Sequence, residues 1–158
     1  MVSVTPDERK EASHADVDIY AAAGTFGDTK KLSADAAALV KSVEQVPDIP
    51  MFRKNTAAFV HEMPAAAISN VDGDSNYVRV QVLTNAGALD RDKQIAIVGG
   101  LTDLIAAAAN DPELKARTWV LLTEAAPGGW GLWGHAQTNE ELVGAARAEI
   151  GRLRGAEK

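Results

Sequence analysis

Thr56-Ala-Ala-Phe-Val-His-Glu62, followed by Met63-Pro64, and Thr118-Trp-Val-Leu-Leu-Thr-Glu124, followed by Ala-Ala-Pro127-Gly-Gly-Trp130, read as two copies of one closing strand. Ahead of each lies the same order of signals. In the first copy, Asp16-Val-Asp-Ile-Tyr-Ala-Ala-Ala23 begins with polar and apolar residues in alternation, the period of a half-buried strand. Gly24 and Gly27 punctuate a turn, and from about Asp28 the period lengthens. Leu32, Ala36, Leu39, Val40 and Val43 recur at three and four, which predicts an amphipathic helix. Pro47 and Pro50 end it, and Asn55 to Glu62 is the second strand. Pro64 to Asn76 reads as a loop with a turn at Asp72-Gly73.

In the second copy, Tyr77-Val-Arg-Val-Gln-Val-Leu83 alternates cleanly and Asn85-Ala-Gly87 turns. Asp90 is placed to cap a helix whose buried face is read as Ile95, Val98, Leu101, Thr102, Ile105 and Ala109. Asn110-Asp-Pro112 terminates it, and Arg117 to Glu124 is the fourth strand. Pro127 to Gly134 is a glycine-rich loop or hairpin. Thr138-Asn-Glu-Glu141 fits a capping box for a last helix striped by Leu142, Ala146, Ile150 and Leu153.

Two strand–helix–strand units predict parallel pairing within each unit, because a helical crossover returns the chain in the same direction. The expected fold is α+β: two tandem β-α-β units in a two-layer sandwich, with four strands under two helices. The expected organisation is an N-terminal extension over 1–14, a first unit over 15–74 and a second over 75–158 with a C-terminal helix, the units forming one intertwined domain. The third strand is apolar on both faces, Val78, Val80 and Val82 on one and Tyr77 and Leu83 on the other. A sheet apolar on both faces needs a second cover, so oligomerisation through the open face or the edges is expected.

Composition narrows the function classes. The 158 residues suit one domain or two small fused ones, and a chain of about 150 residues buries roughly 70% of its unfolded surface. Sixteen basic and 22 acidic residues leave a net charge of -6, which argues against a nucleic-acid or anionic-membrane partner. The absence of cysteine excludes disulfides, thiolate nucleophiles and cysteine zinc sites. Met1 to Lys10 is polar and charged, unlike a secretory signal, and no apolar run reaches the length of about 18 residues read as a membrane span. A cytoplasmic location is the default expectation.

Gly87-Ala-Leu-Asp-Arg-Asp-Lys93, Leu101-Thr-Asp103, Trp119-Val-Leu-Leu-Thr-Glu124, Pro127, Gly128-Gly-Trp130-Gly and Gly134 together resemble the 4-oxalocrotonate tautomerase group of the tautomerase superfamily. The resemblance covers about residues 15 to 140. It looks like the fused form, in which one chain carries two β-α-β units and three chains make a trimer, so it implies a homotrimer and isomerase chemistry. Family members work with an N-terminal proline as general base or acid. An α-amino group titrates at about 7.7–8.0 in model peptides, an apolar site lowers that value, and the amine can then shuttle protons near neutral pH. Here the proline's place falls on Ala15 in the first unit and near Val78 in the second, where the nitrogen is an amide. Pro6 and Pro64 are internal too. The family's arginine after the first-strand glycine corresponds to Thr25 and Ala88, and the arginine opening the last strand to Ala57 and Trp119. The pocket aromatic is kept as Trp130.

Candidate residues follow from both readings. Trp130 and Trp133 sit among glycines, which lets a ring approach a ligand, or a neighbouring subunit. Arg53, Arg79, Arg91 and Arg117 could supply a displaced cation, with solvent-exposed or intersubunit ion pairs as the alternative for Arg79 and Arg117 and a similar one for Arg53. Asp16, beside the position vacated by proline, becomes a replacement base if burial raises its pKa. His61 is the other catalytic candidate; Glu62 points to the opposite face and cannot pair with it. His135, Trp119 and Ala15 complete the candidate substrate-binding set. The three histidines make no metal motif, no glycine stretch matches a phosphate loop, and no cofactor is expected. Three functional readings stay open. One is a keto–enol isomerase of a small carboxylate-bearing carbonyl compound, working without the proline. Another is a non-catalytic homologue acting as a binding or structural trimer. The last is an enzyme activated by cleavage before Ala15, where a freed primary amine serves as base or forms a Schiff base.

Overall fold

The computed structural model describes residues 14–156, and the element order follows the expected repeat. In the first unit β1 (Ala15–Ala22) leads to α1 (Thr29–Glu44), a short α2 (Pro50–Lys54) and β2 (Thr56–Met63). In the second, β3 (Val78–Thr84) leads to α3 (Arg91–Ala109), a 3-10 segment (Pro112–Arg117) and β4 (Thr118–Glu124). The hairpin β5 (Trp130–Leu132) and β6 (His135–Gln137) then feeds α4 (Asn139–Ala156). Except for His14, the expected extension lies outside the described residues. Among the described residues no helix is long and apolar enough to cross a membrane.

The four long strands form one sheet in the order β2-β1-β3-β4. Pairing is parallel within each unit and antiparallel where β1 meets β3. The repeat is kept in the register: Ala15 pairs with Thr56 and Val78 with Thr118. Ala15 and Val78 are therefore structural counterparts, and so are His14 and Tyr77, and Asp16 and Arg79.

The alternation of β1 and β3 turns Val17, Ile19, Val80 and Val82 into the helix layer, all fully buried. They meet Leu32, Ala36 and Val40 of α1 and Ile97, Leu101 and Ile105 of α3. Asp28 caps α1, its carboxylate accepting the Lys31 N–H at 2.9 Å, and Asp90 caps α3 through the Lys93 N–H at 2.9 Å. Both helices close on a left-handed residue, Gln45 and Asn110. The capping box of α4 forms: the Glu141 N–H donates to the Thr138 hydroxyl at 3.2 Å, and Glu141 Oε1 accepts the Thr138 N–H at 3.4 Å.

Three local readings need correction. Pro50 does not only end a helix; it opens α2, where a missing N–H at the first position costs nothing. The buried face of α3 is Ile97, Leu101 and Ile105, while Ile95 and Val98 are exposed at 56% and 37%. These two flank the edge strand β4, where no further strand among the described residues covers them. On α4 the apolar stripe outruns the protein it packs on, so Leu142 and Ala146 are buried and Leu153 is exposed. A second cluster, Ile49, Met51, Phe52, Leu142, Val143 and Ala146, joins α2 to α4 beneath Trp130 and Leu132.

The other sheet face carries Asp16, Asp18 and Tyr20 of β1, Phe59 and His61 of β2, Arg79, Gln81 and Leu83 of β3, and Trp119, Leu121 and Thr123 of β4. Phe59 and Trp119 are each 55% exposed there.

Candidate functional site

The two counterpart positions have opposite surroundings. At the start of the first unit Ala15 is 2% exposed and His14 is fully buried. The His14 N–H donates to Asn85 Oδ1 at 2.9 Å, and Asn85 in turn donates to Asn139 Oδ1 at 3.2 Å. The imidazole lies between Phe52, with centroids 5.2 Å apart, and Trp130, stacked at 6.0 Å. Neither ring nitrogen has a hydrogen-bond partner among the described residues. Burial lowers the His14 pKa to about 4, so the ring is neutral at pH 7. Trp130 is thus packed on a residue of its own chain, and the place next to Ala15 is filled.

At the start of the second unit there is space instead. A cavity of about 360 Å³ lies on the open sheet face, lined by Tyr20, Met63, Ile68, Tyr77, Arg79 and Trp119, among others. Its walls come from the ends of β1 and β2, the starts of β3 and β4, and the loop joining the units. Tyr77 meets Trp119 edge-on at 5.6 Å, a favoured arrangement for aromatic pairs. The Asn70 side-chain amide donates to the Tyr77 hydroxyl at 3.4 Å. Asn70 itself is fixed by the turn it organises, its Oδ1 accepting the N–H groups of Asp72 and Asp74. The Arg79 guanidinium lies 5.4 Å from the centre of the Tyr20 ring, within cation–π range, and donates to Gln81 Oε1 at 2.9 Å.

Tyr20 links this cavity to a second group of polar residues. His61, its cross-strand partner, stacks on it with centroids 4.3 Å apart and planes 10° apart. His61 Nε2 is 2.7 Å from Asp18 Oδ1. Asp16 shares the face, and its pKa is raised to about 6, first by desolvation, then by the hydrogen bond and charge of Asp18, with His61 pulling the other way. Asp16 Oδ1 is buried without a partner among the described residues.

Of the residues expected to matter, Arg79 and Trp119 meet at the cavity, while Asp16 and His61 share the open face without a direct bond. Asp18 is the partner His61 holds. Ala15 is buried. Arg117 clamps a loop: it donates to Asp111 Oδ2 at 3.1 Å and to the carbonyls of Asn76 and Glu113. His135 pairs with Glu141 at the start of α4, and Trp133 is 63% exposed at the hairpin turn. Tyr20, Ile68, Tyr77 and the plugging role of His14 were missed. A usable signal existed for the last two, because the repeat aligns the aromatic-type residue before Ala15 with the one before Val78.

No protein-family model matches the sequence, and no curated protein matches it. Solved structures do match. A wild-type fused 4-OT, an asymmetric trimer, aligns with a TM-score of 0.58 at 18% identity, covering 80% of this chain and 98% of that one. A member of the cis-3-chloroacrylic acid dehalogenase family gives 0.56 at 15% identity, over 75% of this chain and 80% of that one. Macrophage migration inhibitory factor of Toxoplasma gondii gives 0.55 at 14% identity, over 75% and 96%. The chain has the tandem β-α-β fold of the fused 4-OT structures.

Proposed function

We propose that the protein is a tautomerase-fold homologue, assembled as a homotrimer, that binds a small carboxylate-bearing carbonyl compound in the second unit's cavity without amine chemistry. The observation that carries this reading is the contrast between the two counterpart positions. The amide at Ala15 is sealed by His14, Phe52 and Trp130, while the cavity beside Val78 stays open between three aromatic rings and Arg79. Aromatic walls bury the body of a small ligand, and one guanidinium fixes a carboxylate, the usual economy of a small-molecule pocket. The trimer draws support from the exposed apolar residues Phe59, Trp119 and Leu121 on one sheet face and from solved fused 4-OT structures that are trimers. Cleavage before Ala15 loses support, because His14 and Ala15 are both buried.

Phenylpyruvate is the direct probe, read by quenching of tryptophan fluorescence and by the Trp119 indole N–H in NMR. Saturable binding that Arg79→Ala weakens about tenfold is the expected result. Binding unchanged in Arg79→Ala, or none at all, refutes the assignment.

An isomerase reading comes second, and Asp16 favours it. A carboxyl with its pKa near 6 is a competent base at neutral pH. Ketonisation of phenylenolpyruvate would then rise with pH through about 6, as the carboxylate form accumulates, and Asp16→Asn would abolish it. Full-length protein of verified mass that runs no faster than buffer between pH 5 and 8 removes this second reading and leaves the binding reading intact.

A further inference from the structure

The hairpin β5–β6 turns through Trp133 and Gly134, with φ of +56° and +73°, and Leu132 pairs with His135 across it. Two left-handed central residues make a type I′ turn, whose first position suits Asn, Asp or Gly. A large side chain held there is under steric strain, and such outliers point toward function. Burial does not explain the choice, since the indole is 63% exposed.

Trp133 lines a cleft of about 340 Å³ between α2 and α4, together with Lys54, Ala145, Ala148, Glu149 and Arg152. The four α4 residues recur at three and four, so they share one helix face. The two alanines leave its floor low, and the charged pair stands one turn beyond. Glu149 is already committed: its Oε2 accepts the Met51 N–H at 2.9 Å, holding the first turn of α2. Lys54 and Arg152 have no ion-pair partner among the described residues. In a chain of net charge -6, Lys54 and Arg152 beside an exposed indole, set against the single carboxylate of Glu149, leave the cleft with a net positive charge, a local reversal of sign.

We propose that this cleft is a second ligand site, taking a planar aromatic carboxylate whose ring stacks on Trp133 and whose carboxylate lies between Lys54 and Arg152. Offset stacking and charge-assisted hydrogen bonds supply the two halves of the recognition. The site is separate from the second unit's cavity, which holds Trp119 and not Trp133.

The test uses the full-length protein labelled with nitrogen-15. Its indole N–H signals are assigned by single Trp→Phe variants, and 2-naphthoate is titrated in to millimolar concentration. The Trp133 signal is expected to shift saturably. The double variant Lys54→Gln with Arg152→Gln raises the midpoint by about tenfold or more, and neutral 2-naphthamide gives no saturable shift. Trp133→Asn, which suits the turn, is expected to melt at the same temperature as the parent or higher. A Trp133 signal that stays still, or a midpoint untouched by loss of the two cations, overturns the proposal. A lower melting temperature for Trp133→Asn does so too, because the ring would then be serving the fold. Movement of the Trp119 signal alone supports the other cavity and rejects this one.

Discussion

At the scale of single residues, two buried ionisable groups set opposite limits on stability. His14 is neutral in the folded chain, its pKa lowered to about 4 by burial. The unfolded chain binds that proton near the ordinary value of 6.5, so acidification from 6.5 toward 4 favours unfolding, by up to about 3 kcal/mol. Glu44 acts in the other direction. Its carboxyl is fully buried, with neither oxygen hydrogen-bonded among the described residues, and desolvation raises its pKa to about 8 against the pull of Lys93. The folded chain keeps this proton while the unfolded chain gives it up near 4.5, so stability falls as pH rises from 4.5 toward 8. Urea unfolding across pH is the check. Glu44→Gln should remove the alkaline decline, adding about 4 kcal/mol at pH 8 and less than about 1 kcal/mol at pH 5. His14→Phe should remove the acid decline. An alkaline limb that survives Glu44→Gln would mean that Glu44 is already ionised in the folded protein. Glu44 is not recognisable from sequence alone, because it closes a helix that reads as amphipathic; His14 ends a stretch without period, and its one sequence signal is its alignment with Tyr77 in the repeat.

At the scale of elements, caps and breakers were readable wherever their chemistry is local. Asp90 and Thr138, read as caps, each satisfy a helix start within three residues of themselves, and so does Asp28, read only as the start of the helical period. Asp90→Ala is accordingly expected to cost about 1 kcal/mol, measured as a shift in the urea midpoint at constant slope. Phase and short elements were less readable. The apolar residues of α3 make two stripes, and only the sheet decides that Ile97, rather than Ile95, faces inward. Five residues of α2 are too few to show a period, yet they position Phe52 against His14. Phe52→Ala is therefore expected to cost about 3–5 kcal/mol and to open space beside His14. Accelerated exchange of the Trp130 indole proton would accompany that opening. A cost below 1 kcal/mol would show that the first unit's site is not sealed by this ring.

At the scale of the whole molecule, the open sheet face is the consequential feature. Phe59 and Leu121 stand exposed on the edge strands β2 and β4, on either side of a polar centre made by Asp18, His61, Arg79 and Gln81. Leu121→Lys places a charge on that face without touching the helix layer. In sedimentation velocity the parent should run as a trimer and this variant as a smaller species, with unchanged far-ultraviolet circular dichroism; a parent that runs as a monomer refutes the assembly. The sequence by itself determined the repeat, the strand and helix order, the parallel pairing within each unit and the amide character of the nitrogen at Ala15. These follow from periodicity, turn residues and covalent position, all of which act over a few residues. The tertiary structure alone decided which of the two counterpart positions is open. That outcome depends on His14, Phe52, Trp130 and Asn85, far apart along the chain, converging on one place while Tyr20, Arg79 and Trp119 surround the other. Packing of that kind is set by the register of strands and the path of loops, which no local pattern encodes.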